Sequence, residues 1–242
     1  MKTALLITIC FLFHCSELTD TGPAGDARII LTFDDAHKSI YTKAFPIMQS
    51  RGFVGVNYVP TGFIGSPNSL NTEELRRMEE SGWETGGHTV SHPNLTAIPI
   101  EEAEREILEG QNFLRKNDLS CRTFALPSGH ANEQVMAIIK EHFESCRGSE
   151  DFKMKCPNGY SDSLDPYSLG YYFVNHTTSV DDIKSRILRG IVNQECLIII
   201  GFHKIIADKE GVVGAITPSE FRELLEFIEN RGLKTITISD AF

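Results

Sequence analysis

The chain has 242 residues, 41% hydrophobic and 23% charged, a globular balance with enough apolar material for one sizeable core. Its 33 acidic against 23 basic residues give a formal charge of -10 at pH 7, which repels phosphate backbones and anionic membrane surfaces. Nucleic acid is therefore excluded as an expected partner, and one domain is the expectation.

In chain order, residues 1–15 carry Lys2 and then an apolar run from Ala4 to Phe13. That run is too short to span a bilayer but suits the core of a signal peptide. Export is expected, to the cell surface, the periplasm or beyond, with 16–27 as cleavage region and linker and no integral span in the mature chain. Cys15 leaves a lipid anchor open, against which stand Phe13 and His14 where small residues are preferred. If Cys10 and Cys15 leave with the leader, Cys121, Cys146, Cys156 and Cys196 remain, without the Cys-x-x-Cys spacing of a structural zinc site. Cys146 and Cys156 are the pair a disulfide would join, with free buried thiols as the alternative.

Residues 28–242 form the expected domain. It opens on Arg28-Ile29-Ile30-Leu31-Thr32-Phe33-Asp34-Asp35, an apolar, β-branched run that stops at two carboxylates. Such a run suits a strand covered on both faces. Two Asp at its end stay ionised together only beside a positive partner, and a metal ion would serve. The alternative is a polar turn or a helix cap. A helix over 39–51 and a strand over 53–59 come next. Asn71 with Glu74 reads as a capping box opening a helix that stops at Ser81-Gly82. There follow a strand over 83–86, a helix over 101–116, a strand over 123–126 and a helix over 132–143. After an irregular stretch, 148–167, come an extended segment at 171–174, a helix over 180–192 and the apolar run 196–202. Thr217, Pro218 and Glu220 open a last helix that ends at Gly232, and 234–238 reads as a closing strand. Repeated β-then-α units with buried strands predict an α/β fold, a distorted or incomplete (β/α) barrel of about seven strands. No Gly-rich dinucleotide fingerprint follows the first strand. Chemistry in such a barrel collects at the C-terminal ends of the strands.

His88 and His92 follow the strand at 83–86 directly, four residues apart, the spacing that puts two imidazoles on one side of a helical turn. With a carboxylate they make a three-ligand set that leaves positions for water and substrate. The alternative is a helix N-terminus with incidental histidines, for which Pro93 sits awkwardly. His203 ends the 196–202 run; a lone histidine there is usually structural, but its strand should neighbour the first one and share its mouth.

Thr-Phe-Asp-Asp at 32–35, His-Thr-x-Ser-His-Pro at 88–93 and the strand-terminal His203, in this order and at these separations, resemble the polysaccharide deacetylases of carbohydrate esterase family four. The resemblance implies a distorted (β/α) barrel and metal-dependent removal of N- or O-acetyl groups from an acetylated polysaccharide or oligosaccharide. It implies that Asp35, His88 and His92 hold one divalent metal, usually zinc, with cobalt, nickel or manganese as alternatives. Asp34 would be the general base and His203 the general acid, its ring held by a carboxylate such as Asp165 or Asp240. Pro127 and Ser128 would line the substrate cleft. Two departures stand out: Ala125 occupies the place where many relatives carry an Arg that braces the catalytic Asp, and Ser128 that of a Tyr or Phe. Two rival readings stay open: a carbohydrate-binding relative that has lost turnover, and a hydrolase of a small amide or cyclic imide.

Overall fold

A computed structural model describes residues 27–148 and 164–242. The expected leader, 1–15, and all but the last residue of the linker lie outside these, as does Cys156. Cys121, Cys146 and Cys196 are free thiols.

The fold is an α/β barrel, distorted, with seven parallel strands: β1 (Arg28–Asp34), β2 (Val56–Val59), β3 (Glu84–Gly87), β4 (Thr123–Ala125), β5 (Ser145–Arg147), β6 (Tyr172–Phe173) and β7 (Leu197–Phe202). They run in the order β5-β4-β3-β2-β1-β7-β6. The extended segment that supplies β6 also reaches the far edge, where Leu169 bridges Arg147 of β5. Residues 169–173 thus span the gap between β5 and β7 and curl the sheet on itself.

β1 is central because its alternation serves two cores. Ile29, Leu31 and Phe33 join the apolar cluster outside the sheet, while Ile30 joins Val56, Tyr58, Ala125, Leu197 and Ile199 in a second. A strand buried on both faces is largely apolar, which is how Ile29 to Leu31 and Phe33 read, with Thr32 and Asp34 on the inner side. Phe33 stacks on Trp83 and Phe202 with ring centroids 5.3 and 5.5 Å apart. Its full burial is worth about 1.5–3 kcal/mol.

The helices cover the outside: α1 (Phe45–Gln49), α2 (Thr72–Glu80), α3 (Ile100–Lys116), α4 (Glu133–His142), α5 (Val180–Val192) and α6 (Pro218–Asn230). The expected capping box at Asn71 and Glu74 is present, as is that of Thr217 and Glu220. A short parallel pair, β8 (Lys204–Ile205) and β9 (Ala215–Ile216), follows β7. Among the described residues no helix is long and apolar enough to cross a membrane.

The helix expected over 39–51 is present over 40–49, its first part, Ile40–Ala44, a wide turn running into α1, where Pro46 withholds a backbone donor. One expectation is corrected. The segment 234–238 is no strand but makes one bridge, Ile29 to Thr235, with Ile238 plugged into the inner cluster. And Ser145-Cys146-Arg147, unassigned from sequence, is β5.

Candidate metal centre and its surroundings

Parallel strands end on the same side, so residues that leave their C-termini meet. Asp35 and Ala36, at φ 66 and 52, turn the chain over the barrel mouth as β1 ends. His88 leaves β3 with only 2% of its side chain exposed. Its Nδ1 donates to the carbonyl of Ala125 at 2.7 Å, which leaves Nε2 with a lone pair facing outward. Burial pushes this imidazole down to about 4 against the pull of the Asp34 carboxylate, so it is neutral at pH 7.

His92 reaches the same point by a route the sequence did not show. Residues 88–92 form no helical turn; Thr89 and His92 both take left-handed backbone angles, φ 68 and 63, and the His92 amide donates to Thr89 Oγ1 at 3.0 Å. A tight loop with two such residues folds the second imidazole back over the first, ring centroids 4.7 Å apart. The Nε2 atoms of His88 and His92 lie 3.8 and 3.5 Å from the same oxygen, Asp35 Oδ1. One ligand atom from each residue lies within 4.8 Å of the others, a group that could hold a metal ion. Asp35 Oδ1 is also buried with no hydrogen-bond partner. A buried carboxylate oxygen without a donor is costly, and a cation shared with two neutral imidazoles would satisfy it.

Asp34 points into the barrel. Both its oxygens accept from Arg147 Nη2, each at 2.7 Å, with 6% and 2% of the two side chains exposed. The guanidinium lies between two aromatic faces, 4.8 Å from the Tyr58 ring centre and 4.0 Å from that of Tyr171. Small residues make the space: a Cβ on Gly86 would lie 2.6 Å from Tyr58 Cδ1, and one on Gly201 2.6 Å from Tyr171 Cδ2. Burial alone would raise the Asp34 carboxyl, but the Arg147 guanidinium, the foremost of its positive neighbours, outweighs it and holds the group below its usual range. Asp34 is a carboxylate at neutral pH. Arg147 is the functional residue that sequence reasoning missed. The signal was the vacancy at Ala125, which is Arg147's register partner on the adjacent strand.

His203 leaves β7, and two carboxylates face it: Asp35 Oδ2 lies 3.5 Å from Nδ1 and Asp34 Oδ2 3.8 Å from Nε2. The expectation of Asp165 or Asp240 is corrected. Asp165 caps its own turn by accepting from the Tyr167 amide, and Asp240 accepts from that of Thr237. The ring packs beside Phe173, centroids 5.1 Å apart, and against Gly214, where a Cβ would stand 2.6 Å from Nδ1. Pro127 and Ser128 form a short turn after β4, at the same end of the barrel; Pro127 is buried, and Ser128, at φ 57, is exposed. The five residues Asp34, Asp35, His88, His92 and His203 are brought together, with Pro127 and Ser128 on the rim.

The family model for polysaccharide deacetylase matches residues 21–143, half of the chain. The chain belongs to the polysaccharide deacetylase family. It is 29% identical over 135 residues to the poly-beta-1,6-N-acetyl-D-glucosamine N-deacetylase of Staphylococcus aureus strain MRSA252, a match that covers 50% of this chain and 47% of that protein. The chain thus spans about half the length of the curated relatives it matches. Among solved structures, the peptidoglycan deacetylase PdaC of Bacillus subtilis aligns with 90% of this chain and 91% of its own, at TM-score 0.58 and 18% identity. A family 4 carbohydrate esterase of Streptomyces lividans in complex with acetate aligns with 86% of this chain and 91% of its own, at TM-score 0.58 and 14% identity. These two likenesses speak for the shared barrel.

Proposed function

We propose that this polysaccharide deacetylase family member is an exported, metal-dependent hydrolase that removes acetyl groups, N-acetyl foremost, from an amino-sugar polymer or oligosaccharide. The observation that carries the reading is the buried, unpartnered Asp35 Oδ1 facing the Nε2 atoms of His88 and His92, with an ionised Asp34 beside it. The S. aureus relative, named for N-deacetylation of poly-β-1,6-N-acetylglucosamine, supports the choice of N-acetyl.

Asp35, His88 and His92 would hold the ion, zinc or else cobalt, nickel or manganese. A divalent ion there supplies a water acidified toward a pKa of about 7 and a polarised acetyl carbonyl. Asp34 takes the proton from the attacking water. Arg147 keeps the Asp34 carboxylate ionised, both its oxygens accepting from the one Nη2. His203, its Nε2 3.8 Å from Asp34 Oδ2, returns a proton to the departing sugar amine. Pro127 and Ser128 on the rim would face the sugar. The case for a relative without turnover rested on two altered positions, Ala125 and Ser128; Arg147 supplies a guanidinium to Asp34 from the next strand and weakens the part that rested on Ala125.

The test is acetate release from β-1,6- and β-1,4-linked N-acetylglucosamine oligomers, peptidoglycan and acetyl-xylan, with metal content measured on the same preparation. Release from an N-acetylated substrate, lost on chelation and restored by added Zn²⁺, is expected. A folded, metal-loaded chain that frees no acetate from any of them would sink the proposal.

A further inference from the structure

The metal loop owes its shape to neighbours outside the site. Thr89 and His92 occupy backbone angles that non-glycine residues seldom adopt, and such angles persist only where the surroundings over-determine them. From one side, the amides of Thr61 and Gly62 donate to the carbonyls of Thr89 and Val90 at 3.1 and 2.8 Å. From the other side comes a single helix, α3. Glu106 Oε2 accepts from the amides of Val90 and Ser91 at 2.9 and 2.8 Å, and its Oε1 accepts from Ser91 Oγ at 2.8 Å. One turn further on, on the same helix face, Gly110 lets the loop backbone come close: a Cβ there would stand 2.9 Å from the Thr89 carbonyl oxygen. The helix itself is anchored, with Ala103, Ile107 and Leu114 buried in the core.

We propose that Glu106 and Gly110 are positioning residues that set metal affinity by holding the 89–92 loop in the form that brings His92 onto Asp35 and His88. This rests on the metal reading of those three residues given above. Val90 is half-buried and Ser91 exposed, so water can take over their hydrogen bonds when Glu106 is removed. The fold then survives, but only the Thr61 and Gly62 amides still hold the strained loop, relaxed alternatives gain population, and part of the ligand set must be reassembled when an ion binds.

The experiment is Zn²⁺ titration of the full chain against a chromophoric chelator, with thermal melting of the metal-free protein alongside. Glu106→Ala should weaken Zn²⁺ binding by about 10- to 100-fold, the usual effect of losing a partner that orients a ligand. Glu106→Gln can still accept from both amides, with Ser91 Oγ turning to accept from its NH₂, and should bind close to the unchanged chain. Gly110→Ala, whose Cβ must displace the Thr89 backbone while placing the better helix former in α3, should weaken Zn²⁺ binding at a modest cost in metal-free melting temperature, and carries the test should Glu106→Ala not fold. Zn²⁺ affinity unchanged in both Glu106→Ala and Gly110→Ala overturns the inference while leaving the metal centre standing. So does a Gln variant as weak as the Ala variant, which would make charge rather than the grip on the amides the operative property. An unchanged chain that binds no Zn²⁺ overturns the metal reading itself, and this inference with it.

Discussion

Removing the Arg147 guanidinium while keeping its volume, as in Arg147→Met, should cost far more than the loss of a surface ion pair. Both side chains are nearly inaccessible, with 2% and 6% exposure and Nη2 2.7 Å from each Asp34 oxygen. Attraction between unit charges about 4 Å apart is about 4 kcal/mol at an effective dielectric constant of about 20. Breaking a buried pair from one side also strands the other charge, for a total of about 3–5 kcal/mol. Against a global stability of about 5–15 kcal/mol, that brings the single variant near its folding limit. Asp34→Leu should cost a similar amount, because it strands Arg147. Replacing both by apolar groups strands neither, so Arg147→Met with Asp34→Leu should be clearly more stable than the two single losses added together. Urea denaturation of the metal-free chain and the three variants closes the cycle. If the double variant loses the full sum, the two groups do not depend on one another and the assignment of Arg147 as the brace of Asp34 is wrong.

Asp35→Ala should strip metal and acetate release together, whereas Asp34→Asn should keep the metal and lose turnover by about 10²- to 10⁴-fold, as for a missing general base; metal content and initial rates separate the two, and an Asp34→Asn chain without metal would reverse the roles. His203→Ala should leave metal binding intact and slow release of acetate from an amide far more than from an activated aryl ester, whose aryloxide leaves without a proton; equal loss on both substrates would return His203 to a structural role. Chelation should abolish acetate release while far-ultraviolet circular dichroism stays unchanged, since β1, β3 and their buried cores do not depend on the ion; loss of the helical signal with the metal would make the centre structural.

How legible the site was depended on whether strand runs were legible. β1 and β7 announce themselves because a strand covered on both faces carries a run of adjacent apolar residues, and the residues ending them, Asp34, Asp35 and His203, could be placed at one mouth from parallel direction alone. His88 and His92 were found, but through the wrong local geometry. Four-residue spacing is satisfied by a helical turn and equally by a loop with two left-handed residues, and only the partners that hold the loop, Thr61, Gly62 and Glu106, decide between them. The segment 234–238 alternates as a strand does, yet its Ile238 fills the inner cluster and Thr235 Oγ1 accepts from the Val54 amide; alternation reports sidedness and not ladder pairing. β5 was unreadable because three residues, Ser-Cys-Arg, carry no period at all, and with it went Arg147.

That omission explains why Ala125 looked like a defect. Ala125 is fully buried, lies opposite Arg147 in the parallel register and shares the inner cluster with Tyr58. A long side chain on β4 at this level would enter the volume that Arg147 and its two tyrosine faces now fill, so a guanidinium from β5 and a small residue on β4 are two halves of one arrangement. What β4 still contributes is backbone: the Ala125 carbonyl accepts from His88 Nδ1 and so turns the Nε2 lone pair toward Asp35, a task indifferent to the side chain. With the charge on one strand and the carbonyl on its neighbour, Asp34 keeps its cation and His88 its tautomer, and the absence of Arg at 125 carries no implication of lost turnover.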